Sequence, residues 1–139
     1  MATIARTRDI ATCLKIRRVV FIDGQNVPED EEVDGEDPTC RHYLAHVDGV
    51  PAATARVKSL GDRAKIQRVA VLDEYRGTGL GAELMRFVLD DLREEFEAAI
   101  LGSQSHAIGF YEKLGFAAFG TEYDDAGIPH RDMTCNLVG

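Results

Sequence analysis

"RVAVLDEYRGTGLGAELM", residues 68–85, decides how this chain is read. A short apolar run ends at Leu72 and a charged turn follows. Gly77, Gly79 and Gly81 then stand where a helical pattern begins. Glycine inside a helix costs roughly 1 kcal/mol against alanine, so three of them at a helix start point to a need for bare backbone. A helix start leaves its first N–H groups unpaired and carries partial positive charge. Glycine lets a ligand come close to that backbone. With Arg76 beside the same turn, the stretch suits a phosphate or pyrophosphate. The plainer alternative is a tight strand-to-helix connection; the adjacent arginine favours the anion.

The phosphate ligand is narrowed by what the stretch lacks. There is no GxxxxGK[ST], which excludes a nucleoside-triphosphate loop. Gly77-x-Gly79-x-x-Ala82 fits the loose dinucleotide fingerprint, but the following strand ends "ILGSQ", with no acid to hold a ribose.

Working outward, "TIAR" reads as a first strand. "DIATCLKIRRVVF" reads as a helix with Ile10, Cys13, Leu14 and Phe21 at helical spacing and Asp9 in its first turn. Pro28 opens a short helical turn. "RHYLAHV" and "VPAATARVKS" flank Asp48-Gly49, a hairpin signal, and "LGD" turns into a third strand, "AKIQRVAVL". The helix after the glycines places Leu80, Leu84, Val88 and Leu92 on one stripe, with Glu83, Arg86, Asp90 and Arg93 away from it. "AAILGS" reads as a buried strand, "SHAIGFYEKLGF" as a short helix stopped by Gly115, and the remainder as two strands around "DDAG". The unit of strand 64–72, helix 79–95 and strand 98–103 is a right-handed crossover that makes its two strands parallel. The three antiparallel strands upstream do not fit a doubly wound sheet. The expected fold is α/β: a mixed, mostly antiparallel central sheet with one parallel strand pair and helices on its faces.

The chain has 139 residues, one domain's worth, and 45% of them are hydrophobic. Its longest apolar runs are too short to span a membrane. Cys13, Cys40 and Cys135 are far apart and odd in number, as in a reduced cytoplasmic protein. The net charge of −8 is local: residues 23–37, "DGQNVPEDEEVDGED", hold eight acids and no base. That argues against a nucleic-acid partner, which asks for a basic face. The segment reads either as a solvated loop or as an acidic rim that draws in a cationic substrate. His42 and His46 on a strand lie about 13 Å apart, too far for one metal ion.

Arg76-x-x-Gly79-x-Gly81 after "VAV", and "QSHAIGFYEKLGF" at 104–116, resemble the two signature blocks of the GCN5-related N-acetyltransferases. "IRRVVFIDGQNVPEDEEVDGED" and "GIPHRDM" resemble the ElaA-like subgroup of that family. The resemblance implies a single N-acetyltransferase domain over residues 1–139, in which acetyl-CoA lies where the two parallel strands splay apart. It implies that the backbone of Val69, Ala70 and Val71 pairs with the pantetheine arm, and that backbone N–H groups from Arg76 through Gly77, Thr78, Gly79 and Leu80 to Gly81 hold the pyrophosphate. Gln104, Ala107 and Phe110 complete the cofactor contacts. Tyr111 falls where the family's general acid stands, and the N–H of Val71 or a neighbour is the natural oxyanion donor.

Two positions depart from the family pattern. Gln104 replaces the usual asparagine, keeping both amide functions. Gln67 stands near the usual glutamate base and cannot take a proton. That leaves His130, with His42 and His106, as candidate bases, or a water chain. The implied reaction is direct attack of a primary amine, small or protein-borne, on acetyl-CoA in a ternary complex, with no metal. A non-catalytic acyl-CoA-binding module is the alternative, for which Gln67 is the argument. A homodimer is compatible with either reading.

Overall fold

The computed structural model describes residues 2–138. Seven strands form one sheet: β1 (Ala2–Thr7), β2 (Arg41–Val47), β3 (Val50–Leu60), β4 (Arg63–Val71), β5 (Ala98–Gln104), β6 (Ala117–Asp125) and β7 (Ile128–Asn136). Their order is β1-β2-β3-β4-β5-β7-β6, and every neighbouring pair is antiparallel except β4/β5. The helices are α1 (Ile10–Arg17), α2 (Glu29–Glu32), α3 (Leu80–Leu92) and α4 (Ile108–Glu112). The hairpin at Asp48-Gly49, the turn after Leu60 and the parallel crossover stand where the sequence puts them.

Alternation along the strands sorts side chains to two faces. On one face Tyr43, Ala45, Val57 and Ile66 meet the α3 stripe Leu80, Leu84, Val88 and Leu92, which also buries Met85 and Leu89. On the other, Leu44 and Ala70 pack against Cys13, Ile16 and Val20 of the α1 segment. The Asp9 carboxylate accepts from the Thr12 N–H at 3.1 Å and starts α1.

The buried stripe on this helix differs from the one that apolar spacing indicates. It runs Cys13, Ile16, Arg17, Val20, while Ile10, Leu14 and Phe21 are only partly covered. The reason is Arg17, whose guanidinium is 1% exposed in a position that pattern reading reserves for apolar groups. Beyond Arg17 the helix loosens into a π turn over Arg18–Asp23, a feature that often marks functional sites. It brings Val20 and Phe21 to the rim of the cavity described below.

Candidate active site

β4 and β5 pair only at Arg63–Ala98, Ala64–Ala99 and Lys65–Ile100. Beyond these the strands diverge. On its other edge β4 stays paired with β3 up to Val71, but between Thr54/Ala70 and Arg56/Gln67 it carries one extra residue. This is a β-bulge, with Arg68 in the left-handed region at φ 54. The bulge reverses the alternation: Ile66 and then Val69 and Val71 face the α3 side, and Ala70 faces α1.

The backbone of this stretch is directed as follows. The Leu72 N–H donates to the Ala52 carbonyl on β3 at 2.9 Å. Successive backbone groups of a strand point to opposite edges, so Ala70 also faces β3, and Val69 and Val71 turn their N–H and C=O groups toward the open side. Ala70 therefore departs from the expectation: its backbone is spent on β3, and its side chain is buried against α1. The Val71 carbonyl accepts from Arg76 Nε at 3.1 Å, and Arg76 also pairs with Asp73 at 2.8 Å.

The splayed strands open onto a cavity of about 860 Å³. Its lining includes Val69, Val71, Arg76, Gly77, Gly79 and Leu80. Gly81, Gln104, Ala107, Phe110, Tyr111 and His130 complete the set that the sequence singled out. Thr78 is the exception: its hydroxyl donates to the Tyr75 carbonyl at 2.5 Å, and the residue does not line the cavity.

The glycine turn shows why bare backbone is needed. Gly79 is the residue before α3, at φ 87, and Gly77 is at φ 75, conformations that favour glycine. No side chain caps the helix start, although a serine or aspartate there would contribute about 1 kcal/mol. The N–H groups of the first turn are left to the cavity. Gly81 has an ordinary helical φ, and a Cβ there would meet Phe110 at 3.4 Å and Val71 at 3.6 Å, normal contact distances.

Tyr111 packs edge-on against Phe110 and Phe116, with ring centroids 5.0 and 5.9 Å away. Burial pushes its phenol up to about 12. The His130 ring is fixed by two contacts. Its Nδ1–H donates to the Ile128 carbonyl at 2.7 Å, which leaves the lone pair on Nε2, and the ring stacks on Tyr123 at 5.9 Å. Tyr123 donates to Asp132 at 2.7 Å. Its hydroxyl lies where a Cβ on Gly102 would be only 2.5 Å away, so β5 has no side chain at that point. Of the other histidines, His106 lines the cavity and its Nε2–H donates to Gln104 Oε1 at 2.7 Å. His42 does not reach the mouth; it is buried, with its Nε2 on the Asp37 carbonyl at 2.8 Å. The Gln104 amide is also joined to that of Gln25 by two hydrogen bonds, at 2.9 and 3.2 Å.

The acidic segment is the largest departure from the sequence reading. It is not simply a solvated loop. Arg17 donates to Glu32 and Asp37, each at 2.6 Å. Arg56, 0% exposed, donates twice to Asp34 at 2.9 Å and once to Asp37 at 3.1 Å. Arg68, on the bulge, holds the Glu31 and Glu32 carbonyls and the Glu32 and Asp34 carboxylates. Glu36 pairs with Lys58, and Glu29 with Arg18. Asp23, Asp30 and Glu31 have no ion-pair partner among the described residues, and of these only Glu31 lines the cavity. The segment is a strap, fastened to the sheet by buried arginines.

A crossover of this geometry, with an uncapped glycine start facing a splayed parallel pair, defines an acyltransferase architecture. Residues 21–137 match the acetyltransferase (GNAT) domain family, and the chain belongs to it: it is a GNAT-type N-acetyltransferase. Within the family it is ElaA-like. It is 32% identical to protein ElaA of Escherichia coli (strain K12), over 90% of this chain and 86% of that one. The crystal structure of Escherichia coli ElaA matches it with a TM-score of 0.87 at 29% identity, over 98% of this chain and 100% of that one. YyaT of Bacillus subtilis (strain 168) is 37% identical, over 91% and 88% of the two chains. A GNAT family acetyltransferase from Elizabethkingia anophelis, solved with acetyl-CoA bound, shares the fold with a TM-score of 0.75 at 17% identity, over 97% of each chain. Among the described residues no helix is long and apolar enough to cross a membrane.

Proposed function

We propose that this protein transfers an acetyl group from acetyl-CoA to a primary amine, in the cytoplasm, by direct attack in a ternary complex. The observation that carries the reading is the open edge of β4 running into the uncapped start of α3. The residues present fit the cofactor: unpaired first-turn N–H groups with Arg76 suit a pyrophosphate, and the Val69 backbone with the Val71 N–H suits the amides of a pantetheine arm. The Elizabethkingia relative holding acetyl-CoA on the same fold supports this. Acetyl-CoA supplies a thioester carbonyl. The Val71 or Val69 N–H is then the donor for charge developing on its oxygen.

The amine must be neutral to attack. His130 Nε2, with its lone pair free and its ring held by Ile128 and Tyr123, is the side chain suited to accept the proton. Tyr111 has a different task. Burial raises the phenol and so favours its protonated form. Tyr111 therefore keeps its proton and donates a hydrogen bond to the departing sulfur, which takes its proton from solvent.

One observation favours the second reading, a non-catalytic acyl-CoA-binding module: Gln67, near the position of the family's usual glutamate, is held by Arg56. Incubation of the protein with acetyl-CoA and a panel of primary amines, read by thiol release, separates the two. Turnover with at least one amine is expected. Binding of acetyl-CoA with no thiol release from any amine would leave only the binding module.

A further inference from the structure

The side chain of Gln67 has a fixed direction. Its Oε1 accepts from Arg56 Nε at 3.1 Å and from Arg56 Nη2 at 2.7 Å. A guanidinium only donates, so the amide cannot be turned the other way without setting N–H against N–H. Arg56 is itself immobilised, fully buried between Asp34 and Asp37. The Gln67 NH2 group has no protein acceptor among the described residues, and the residue lines the cavity. Where a base would accept a proton, this site presents a donor.

A second donor stands beside it. Lys65 is two residues earlier on β4, before the bulge, and so on the same face as Gln67. It also lines the cavity, and no ion pair holds its ammonium among the described residues. The three neighbouring arginines, Arg17, Arg56 and Arg68, are met by Glu32, Asp34 and Asp37. Lys65 is thus the positive charge on this face that the strap does not match. Glu31 and Asp125 also line the cavity, but both are exposed, where a charge on an entering ammonium would meet them.

We infer that the acceptor carries a carboxylate as well as its amine, and that the Gln67 amide and the Lys65 ammonium bind that carboxylate. This rests on the acetyl-transfer reading and names the acceptor class it uses. A neutral donor and a cation on one carboxylate make charge-assisted hydrogen bonds, each able to change affinity by roughly 10- to 100-fold.

The test uses ω-amino acids of increasing chain length, each matched to the alkylamine of the same length, so that the members of a pair differ by the carboxylate alone. With the full chain and saturating acetyl-CoA, at least one ω-amino acid should exceed its alkylamine in kcat/KM by about 10-fold or more. Lys65→Met and Gln67→Glu should each shrink that ratio, mainly through KM, and Gln67→Glu keeps Arg56 paired and the fold intact. A wild-type ratio near one overturns the inference. So does a Gln67→Glu variant that turns over alkylamines faster than wild type, which would mark the position as a lost base. If no amine in either series releases thiol, the acetyl-transfer reading fails, and the same pairs are compared by calorimetry on the CoA-saturated protein. There, tighter binding of the carboxylate member upholds the subsite and equal binding overturns it.

Discussion

Replacing Asp37 by asparagine keeps the shape of the strap and removes one charge from its centre. Asp37 Oδ1 accepts from Arg17 at 2.6 Å and from Arg56 at 3.1 Å. Its carboxyl is held below the usual range because hydrogen bonds from these arginines outweigh the burial that would raise it. After Asp37→Asn, Arg17 keeps Glu32 and Arg56 keeps Asp34, but three guanidinium groups share two carboxylates. Breaking a buried pair costs about 3–5 kcal/mol. The lower figure applies here, because neither arginine is left without a partner. Unfolding entropy of about 2.1 cal/mol/K per residue, over 139 residues, makes 3 kcal/mol equivalent to a fall of about 10 °C in Tm. The assay is thermal unfolding followed by far-ultraviolet circular dichroism at neutral pH, in low and in molar salt. The fall should persist in salt, since buried charges are poorly screened. A fall below about 3 °C that vanishes in salt is the behaviour of an exposed pair, and it would refute the description of the strap as a buried network.

Acid should unfold the protein through the same groups. Hydrogen bonds from Arg56 hold the Asp34 carboxyl well below its ordinary 3.8, and Asp37 is lowered as well. The unfolded chain then binds these protons more readily, so their contribution is complete above about pH 4 and is lost as pH falls through the folded values. The urea midpoint should be level down to about pH 4 and fall below it, and a midpoint that stays level further into acid would contradict this. Tyr111→Phe removes one hydrogen bond to a developing charge, worth about 1.5–3 kcal/mol. In steady-state assays kcat and kcat/KM should therefore fall together, by roughly 10- to 100-fold; an unchanged kcat would leave Tyr111 as packing only.

The parts legible in the sequence are those in which one local rule acts alone. The hairpin at Asp48-Gly49, the α3 stripe and the glycine start each follow from a turn type, a period or a backbone need, and two motif blocks placed the family. The parts that were not legible involve residues that meet only in three dimensions. Arg17 was not singled out by the apolar spacing of its helix, yet Glu32 and Asp37 hold it in the core. The acids of residues 23–37 read as a solvated run, because the arginines that hold Glu32, Asp34 and Asp37 come from α1, β3 and β4. The bulge at Arg68 left no mark in "IQRVAV", since one extra residue in a strand changes direction and not composition. The orientation of the Ala70 backbone was hidden for the same reason: whether a residue faces the cavity or β3 depends on the count from the bulge.

The two faces of the sheet answer different demands. Against α3 the sheet is mostly apolar, with polar contacts from Arg6, Arg41 and Tyr43 to Asp91 and Glu95 at its edge. Against α1 lie two buried arginines, Arg17 and Arg56, and two buried carboxylates, Glu32 and Asp37, with Arg68 and Asp34 at the margin, where well-packed apolar groups of the same volume are often as stable or more so. Stability does not account for that choice, but the site does. An apolar side chain at Arg56 would leave the Gln67 amide free to rotate, and the cavity would face an undefined mixture of donor and acceptor. A lone guanidinium would need a buried counter-charge, which Asp37 provides from the strap, with the more exposed Asp34 beside it. Holding one neutral amide in one direction thus calls for a cation behind it and two anions behind the cation. The same logic acts on the opposite wall, where Gly102 forgoes a side chain so that Tyr123 can lie across β5, donate to Asp132 and stack on His130. In both walls the group that meets the cavity is ordinary, and the unusual residues stand one layer behind it, fixing which of its atoms points inward.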